Sequence, residues 1–480
     1  MGKKLALAAV IFLLVVSGVS QAQTVQTLVN QPPDGLGISF LLTDGRLLTQ
    51  GNASSDWAIL TPDKFGSYVN GTWKRAASLP SGYVPDAFAS AVLADGRVII
   101  EGGEYNPPGQ FAFTNLGAIY DPVKDTWTKQ KPPKGWGFIG DSPSAVLPNG
   151  HFLLGSKFDR RVAELDPATL TWTDLKSTGK HDRNAEEGWT LMPDGSVLTY
   201  DVTRAPHAER YIPSKDKWVS ARNTIVDLHS PSPFGCIHYG PNGKYCYYPP
   251  GEVGPGILRP DGTVFATGSA SNGGTGVGHT AIYHPSIGKW TVGPDFPNGD
   301  NAGDSFAVLL PSGNVLVLGG QGLYDFDGTN LTPDPVGFAF PILVLPTGQV
   351  LALGNNVEVY NPTGTYQTSW APVITAFPKS VARGSTYKIS GQQFNGLSQA
   401  AAFGDEDETA TNYPLVRITN KRSHHVFYAK THDHSTMGVA TGKAKVFTNF
   451  DVPAKMDSGA STLEVVANGI PSKPVNVTVR

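Results

Sequence analysis

The sequence has few charges, only two cysteines and no stretch with the pattern of a long amphipathic helix. Of its 480 residues 16% are charged, the formal net charge is -3, and no basic run occurs. Nucleic acid is therefore excluded as an expected partner. Without helical periodicity the apolar residues recur at strand period, and 55 glycines and 38 prolines interrupt them. The composition predicts a large all-β protein.

Long apolar runs are also scarce, and the most pronounced one, residues 5–16, lies near the N-terminus. It follows Lys3 and Lys4 and precedes small residues suited to a signal peptidase, so residues 1–22 are predicted to be a signal peptide cleaved before Gln23. The alternative, a retained membrane anchor, would need about 20 apolar residues. We expect a secreted or periplasmic protein with no transmembrane segment after cleavage.

The two cysteines, Cys236 and Cys246, both fall in a long inserted segment, residues 221–254. Export would place them where disulfides persist. We therefore predict a disulfide that staples this loop, with a metal or radical role as the alternative.

A repeated hairpin pattern indicates the architecture. Short apolar runs flank a two-residue turn that ends in glycine, which predicts two antiparallel strands joined by a primed turn. A tryptophan recurs later in most repeats, where it is expected to be a packing element. The turns are Asp44-Gly45, Asp95-Gly96, Asn149-Gly150, Asp194-Gly195, Asp261-Gly262, Ser312-Gly313 and Thr347-Gly348, and the tryptophans are Trp73, Trp127, Trp172, Trp218, Trp290 and Trp370.

The seven turns recur at roughly the 50-residue period of kelch repeats. The double glycines Gly102-Gly103 and Gly319-Gly320 strengthen the resemblance to kelch sequences. Residues 23–370 are therefore expected to form a seven-bladed kelch-like β-propeller, in which stacked blades close into a ring. The alternative is a set of unrelated hairpins in a β-sandwich.

The remaining residues, 371–480, differ in pattern. Segments 372–378 and 387–391 resemble the opening of an immunoglobulin-like early-set (IPT/TIG-type) β-sandwich, and 461–479 supplies two more alternating strands. A seven-bladed propeller followed by such a domain resembles the galactose oxidase and glyoxal oxidase family. The resemblance implies an all-β protein with these two domains.

In that family a copper ion is held by two histidines and two tyrosines, one tyrosine being cross-linked to a cysteine. The resemblance preserves one of these ligands, since Thr431-His432 matches a histidine on a C-terminal-domain loop. Because the other ligands are replaced, a copper-radical centre is not expected. The positions that match the missing ligands hold Gly303 and Asp304, Asp141, and Asp86 or Ala87.

The replacements are mostly acidic, and acids recur just before the predicted inner strands. Equivalent positions in successive blades lie on one rim of the channel, so these carboxylates should converge and could bind a divalent cation such as Ca²⁺ or Mn²⁺. Alternatively, each acid accepts backbone hydrogen bonds from the neighbouring blade. The acids are Asp86, Asp141, Glu186, Glu187, Glu252 and Asp304.

The loop 431–436 carries His432 and His434 and is predicted to reach the propeller axis beside Asp141 and Asp304. Calcium or another divalent cation would then bind at His432, Asp141 and Asp304, and the alternative is that the histidines merely plug the channel. The acidic run 405–408 is interpreted as a solvated loop, with calcium binding as the alternative. The candidate site comprises His432, His434, Asp141, Asp304, Asp86 and Glu187.

Two function classes follow. The first is a secreted, non-catalytic propeller that binds a small molecule, a glycan or a protein through its channel-mouth loops. The second is an enzyme at the carboxylate and histidine site, either a metal-assisted hydrolase or lyase or a divergent oxidoreductase, with carbohydrate as a candidate substrate.

Overall fold

Seven antiparallel sheets form the blades of a β-propeller in the computed structural model, which describes residues 23–52, 54–270, 276–336, 341–353 and 356–480. The predicted seven blades are confirmed. The signal-peptide prediction lies outside the described residues. Within them, no helix is long and apolar enough to cross a membrane, and the helical segments are four 3-10 turns: Pro213–Lys215, Pro241–Gly243, Pro297–Gly299 and Thr368–Trp370.

Each blade runs from an inner strand at the channel to an outer strand, and its inner strand is buried. Strand β1 (Thr24–Thr27) completes blade 7 as its outer strand, so the N-terminal and C-terminal ends of the propeller close the ring. Blade 1 comprises β2 (Ser39–Leu41), β3 (Leu47–Gln50), β4 (Trp57–Thr61) and β5 (Thr72–Arg75); blade 2, β6 (Ala89–Val92), β7 (Val98–Glu101), β8 (Gly117–Asp121) and β9 (Thr126–Gln130); blade 3, β10 (Ser144–Val146), β11 (Phe152–Gly155), β12 (Val162–Asp166) and β13 (Thr171–Leu175); blade 4, β14 (Thr190–Leu191), β15 (Val197–Tyr200), β16 (His207–Ile212) and β17 (Lys217–Asn223).

Between blades 4 and 5 an insertion adds two short ribbons, and the predicted disulfide between Cys236 and Cys246 is present there. The insertion comprises β18 (Ser230–Pro231), β19 (Ile237–Tyr239), β20 (Tyr245–Tyr247) and β21 (Gly251–Glu252); blade 5, β22 (Gly256–Leu258), β23 (Val264–Ala270), β24 (Gly278–His284) and β25 (Lys289–Val292); blade 6, β26 (Ala307–Leu309), β27 (Val315–Leu318), β28 (Leu323–Phe326) and β29 (Leu331–Pro333); blade 7, β30 (Ile342–Val344), β31 (Val350–Leu353) and β32 (Val357–Asn361) with β1.

The hairpin turns differ from the primed turns predicted. In all seven the glycine has φ between 76° and 89°, but the residue before it is not in the left-handed region. In blade 1, Gly45 N–H donates to Leu42 O at 2.9 Å and Leu42 N–H donates to Arg46 O at 2.7 Å. This is a type I turn followed by a left-handed glycine, the three-residue hairpin with a G1 bulge. It needs only one positive φ, which explains why serine and threonine also precede the glycine.

Tryptophans on the outer strands link neighbouring blades. The indole N–H of Trp73 donates to Asn30 O, that of Trp127 to Ala77 O, and that of Trp290 to Ala221 O, at 2.9–3.0 Å. Trp370 departs from the prediction, because it ends a 3-10 turn rather than lying on an outer strand.

The C-terminal strands form sheets outside the blades, except that one of them enters the propeller: β36 pairs with β26 of blade 6. These strands are β33 (Val373–Ala376), β34 (Ser380–Val381), β35 (Thr386–Gln392), β36 (Ala401–Ala402), β37 (Leu415–Asn420), β38 (Val426–His432), β39 (Val446–Asp451), β40 (Gly459–Ala467), β41 (Ile470–Pro471) and β42 (Val475–Val479).

Candidate functional site at the channel mouth

An acidic finger from the C-terminal region occupies the propeller channel. The finger, residues 399–411, is closed at its base by a hydrogen bond from Thr411 N–H to Gln399 O (2.8 Å). After β36 it crosses to blade 2, where Asp407 N–H donates to Phe88 O at 2.9 Å. The expectation that 405–408 is a solvated loop is therefore wrong. Its acids face the inner ends of several blades, and Asp405, Glu406 and Glu408 are buried.

The acids before the inner strands are aimed by an unusual backbone. Glu186 and Asp304 occupy equivalent positions in blades 4 and 6 and have φ values of 56° and 46°. Ala87, the equivalent residue of blade 2, has φ of 53°. A left-handed conformation at such residues costs about 1–3 kcal/mol each and is typical of functional sites. The side chains of Glu186 and Asp304 both line the cavity at the channel mouth.

A cavity of about 630 Å³ opens at this mouth. The insertion covers one side of it, and Tyr105, Phe111 and Phe234 contribute aromatic surface. Tyr247 of β20 donates its hydroxyl hydrogen to Glu186 Oε1 at 2.9 Å, which ties the insertion to the acid cluster. Six carboxyl side chains line the cavity: Glu104, Asp141, Glu186, Glu252, Asp304 and Glu406.

One buried cation faces this cluster. Lys157 is 0% exposed, and its Nζ donates to Asp141 Oδ2 and to Glu186 Oε1, the latter at 2.5 Å. Its ammonium group also lies 5.2 Å from the centre of the Tyr247 ring. Burial alone would lower the pKa of Lys157, but Asp141 and Glu186 raise it well above its usual value. Lys157 is therefore charged throughout the physiological range.

The remaining negative charge is poorly compensated. A carboxylate oxygen from each of Asp141, Asp405 and Glu406 lies within 4.8 Å of the others. Asp141 Oδ1 and both oxygens of Asp405 are buried and accept no hydrogen bond from an N–H, alcohol or phenol group, and the side-chain partners of Asp405 are the carboxyl groups of Glu186 and Glu406. Burial raises the pKa of Asp405 and Glu406 well above the usual value, and neighbouring carboxyl groups add to the effect. Such a group needs protons or a bound cation.

Two carboxyl groups beside Lys157 differ in acidity. Burial raises the pKa of Glu104 to about 7, although Lys157 opposes the shift. Burial would raise the pKa of Glu186 too, but Lys157 and the Tyr247 hydroxyl outweigh it, so the pKa of Glu186 is lowered. Asp304 is exposed to the cavity, yet desolvation and the neighbouring Glu186 raise its pKa to about 6. Near neutral pH the cavity thus contains Glu104, which is about half protonated, and Glu186, which is ionised.

The structure does not bring His432 or His434 together with Asp141 and Asp304, so that prediction is wrong. Thr431 N–H donates to Thr43 O and Met437 N–H to Pro148 O, both at 3.1 Å. These acceptors lie beside hairpin turns, and Pro148 and Asp141 flank opposite ends of the inner strand β10. The loop therefore packs on the face of the propeller opposite the cavity.

The histidines have local partners there. His432 contacts Asp433 Oδ2 at 2.8 Å and Asp451 Oδ1 at 3.2 Å, and His434 Nδ1 contacts Thr448 Oγ1 at 2.8 Å. The metal site predicted at His432, Asp141 and Asp304 is therefore not assembled. The finger fills the channel instead, because its backbone pairs with β26 and anchors it at the axis.

Two other predicted acids have separate surroundings. Glu187 is fully buried and binds Lys180, with Oε2 3.1 Å from Nζ, rather than facing the cavity. Asp86 forms a backbone bridge with Tyr105, and burial raises its pKa. Asp86 therefore lies at the edge of the channel cluster, whereas Glu187 belongs to a different one.

Sequence reasoning missed Lys157, Glu104 and the finger acids. Lys157 stands where blades 2 and 6 have the second residue of the double glycine, Gly103 and Gly320, and this break in the repeat was an available signal. The finger had a compositional signal, because 405–408 is an unbroken acidic run. Its burial could not be predicted, since it depends on pairing between distant strands.

No protein-family model matches the chain, and a search of curated proteins finds no match either. Solved structures share its fold. A fungal alcohol oxidase of the AA5 family, in complex with copper, has a TM-score of 0.50 at 14% identity, over 96% of this chain and 100% of that one. Virginiamycin B lyase from Staphylococcus aureus has a TM-score of 0.46 at 13% identity, over 71% of this chain and 99% of that one.

The extracellular domain of a putative one-component system from B. thetaiotaomicron has a TM-score of 0.48 at 12% identity, over 85% of this chain and 48% of that one. At 14% identity, the similarity to the AA5 oxidase shows the fold alone: the chain is a seven-bladed propeller of the galactose oxidase-like type.

Proposed function

We propose that this protein is an exported propeller that binds a divalent cation at the channel mouth and, with it, a small glycan. The observation that carries the proposal is a buried group of three acids, in which one carboxylate oxygen from each of Asp141, Asp405 and Glu406 lies within 4.8 Å of the others and the side-chain partners of Asp405 are themselves carboxyl groups. A cation bound there would replace the protons that burial otherwise forces onto these groups.

The donor set favours a hard cation. The described cavity lining offers carboxylate oxygens and contains neither histidine nor cysteine. Oxygen ligands suit Ca²⁺ and Mn²⁺, whereas copper is bound by imidazole and sulfur ligands in most protein sites. We therefore assign Ca²⁺ as the resident ion, held by Asp141, Asp405 and Glu406.

The rest of the cavity suits a polyhydroxyl ligand. Glycan hydroxyl groups can complete the coordination of Ca²⁺ and donate to the carboxylates of Glu252 and Asp304, while Tyr105 and Phe111 offer flat apolar surface to a sugar ring. A rigid propeller with loops at one mouth is suited to such binding.

Export agrees with the disulfide between Cys236 and Cys246, since such bonds persist in oxidising compartments. With residues 1–22 removed as a signal peptide, the mature protein would be secreted or periplasmic. We also propose a domain division at residues 370 and 371, with 371–480 forming an early-set-like β-sandwich whose finger completes the propeller channel.

The test is calcium binding by the metal-stripped mature chain, measured by titration calorimetry and thermal melting. We expect one tightly bound Ca²⁺ and a higher melting temperature, because a ligand that binds only the native state stabilises it. Asp405→Asn should abolish this gain yet raise the melting temperature in chelator, since it removes one of several crowded carboxylates. Asp174→Asn, at an exposed position of β13, is the control and should behave as the parent does.

Equal calcium binding by the parent and by Asp405→Asn would overturn the cation site. Glycan binding is then measured by array screening with and without calcium. Calcium-independent binding, or no binding by calcium-loaded protein, would contradict the second part of the proposal.

One observation favours an enzyme as the second candidate. Both Glu104 and Glu186 interact electrostatically with Lys157, but burial raises the pKa of Glu104 to about 7 whereas Glu186 is ionised. Two carboxyl groups whose pKa values differ in this way can act as acid and base. A metal-assisted glycan hydrolase or lyase would release new reducing ends. Glu104→Gln should abolish that release while retaining calcium, and an unchanged rate would exclude Glu104 as the acid.

A further inference from the structure

A second polar cluster lies in blade 4, away from the channel cavity. The blade-4 cluster consists of His181, Asp201, His207 and Glu209, and one nitrogen or oxygen atom from each lies within 4.8 Å of the others. Asp201 follows β15, and His207 and Glu209 lie on the adjacent β16. Two neighbouring strands and the preceding loop therefore bring two imidazoles and two carboxylates together.

Asp201 supplies an independent sign of a missing ligand. Its side chain is 0% exposed, and Oδ2 lies 2.8 Å from His207 Nδ1. Its other oxygen, Oδ1, is buried and has no hydrogen-bond partner. Leaving a buried carboxylate oxygen without a donor costs free energy that a bound cation would recover.

Charge also favours a cation. Lys180 Nζ contacts Asp182, Glu187 Oε2 and Glu209 Oε2, the last two at 3.1 Å. With Asp201 beside them, four buried carboxyl groups share this one ammonium among the described contacts.

We infer that the blade-4 cluster is a binding site for a first-row transition-metal ion such as Zn²⁺. Imidazole nitrogen with carboxylate oxygen is a common zinc donor set, with bonds of about 2.0–2.2 Å. Tetrahedral ligand atoms at such bond lengths lie about 3.4 Å apart. His207 Nδ1 and Asp201 Oδ2 are a hydrogen-bonded pair 2.8 Å apart, so this pair must separate slightly when both atoms bind the ion. His181 is exposed and stacks on His207 with ring centres 4.3 Å and ring planes 12° apart, so one ring must rotate before both nitrogen lone pairs can meet the same ion. Because His181 is exposed, its ring has room to rotate and the ion would be reachable from solvent.

This site is independent of the calcium site proposed above. It has nitrogen donors, whereas the cavity lining offers oxygen, so the two sites should prefer different ions. The two proposals can be tested separately, because Asp405→Asn removes a ligand of the calcium site and leaves every ligand of the blade-4 cluster in place.

The test uses the untagged, metal-stripped mature chain. Titration calorimetry with Zn²⁺ should show one equivalent bound by the parent and by Asp405→Asn. His207→Gln should weaken this binding by more than about 100-fold, since even groups behind the metal ligands are worth 10–100-fold. Electron paramagnetic resonance of the Cu²⁺-loaded parent should show coupling to two imidazole nitrogens, and His181→Gln should show coupling to one.

The matched control is His279→Gln. His279 pairs with Asp295 at 2.7 Å but belongs to no described group of three or more ligands, so its loss should leave binding and spectra unchanged. Circular dichroism of each metal-free variant reports folding, and Asp201→Asn replaces His207→Gln if that variant unfolds. Zinc binding by the parent no tighter than by the double variant His181→Gln/His207→Gln would overturn the site.

Discussion

Lys157 Nζ lies 2.5 Å from Glu186 Oε1 and joins blade 3 to blade 4 at the mouth of the propeller channel. Both side chains are buried, and the Tyr247 hydroxyl donates to the same Glu186 oxygen. The ion pair thus fixes two blades and the inserted ribbon around one carboxylate. Its described neighbours are mostly acidic, and this ammonium stabilises the two that it contacts, Asp141 and Glu186.

Lys157→Met is expected to lower the free energy of unfolding by about 3–5 kcal/mol, because it leaves Asp141 and Glu186 buried without their cation. Urea unfolding measures the change. Lys176→Met, at an exposed position of the same blade, should change stability by less than about 0.5 kcal/mol. Adding Glu186→Gln to Lys157→Met should recover part of the loss. Equal stability of Lys157→Met and the parent would show that the pair contributes nothing.

The calcium-free protein should lose stability as pH rises from about 4.5 to 7. Burial raises the pKa of Glu104 from 4.5 to about 7, so over this range the unfolded chain releases a proton that the folded chain retains. One such group changes the free energy of unfolding by up to about 1.4 kcal/mol per pH unit. Urea unfolding in chelator should show a smaller decline for Glu104→Gln, whereas Glu358→Gln on β32 should follow the parent.

At acid pH the titration of His434 should have the opposite effect on the pH dependence of the free energy of unfolding. Burial lowers its pKa from 6.5 to about 3, and its Nε2 is buried without a partner, although part of the side chain is accessible. Below pH 6.5 the unfolded chain gains a proton that the folded chain does not, so stability falls by up to about 1.4 kcal/mol per pH unit. His434→Gln should flatten this part of the profile and His284→Gln should not. If the stability of His434→Gln and that of His284→Gln changed equally with pH below 6.5, the effect could not be assigned to His434.

Removing the disulfide should loosen the insertion while the blades stay folded. In the chain-entropy model a loop of this length is stabilised by roughly 2.5–3 kcal/mol, which corresponds to a loss of about 100-fold in amide protection. Hydrogen exchange of Cys236→Ser/Cys246→Ser should show this loss in β19 and β20. The amides of β27 serve as the internal control, and a matching loss there would indicate global destabilisation.

The propeller could be predicted from the sequence because its information is local. Each hairpin carries a glycine at the one position that needs positive φ, and each run of alternating apolar residues lies within a few residues of its partner strand. The disulfide was predictable for the same reason, since Cys236 and Cys246 belong to one short ribbon. Asp141 and Asp304 both line the cavity, because equivalent positions of the repeat occupy equivalent places in successive blades.

Only the tertiary structure decided which side chains complete the site. The sequence suggested the loop carrying His432, but the finger that carries Asp405 enters the channel, because β36 pairs with β26 across about a hundred residues. Burial of Lys157 likewise depends on acids from two blades and a tyrosine from the insertion. Local propensities determined the repeating strands, whereas the charges at the site were set by contacts between segments far apart in the chain, which no short pattern records.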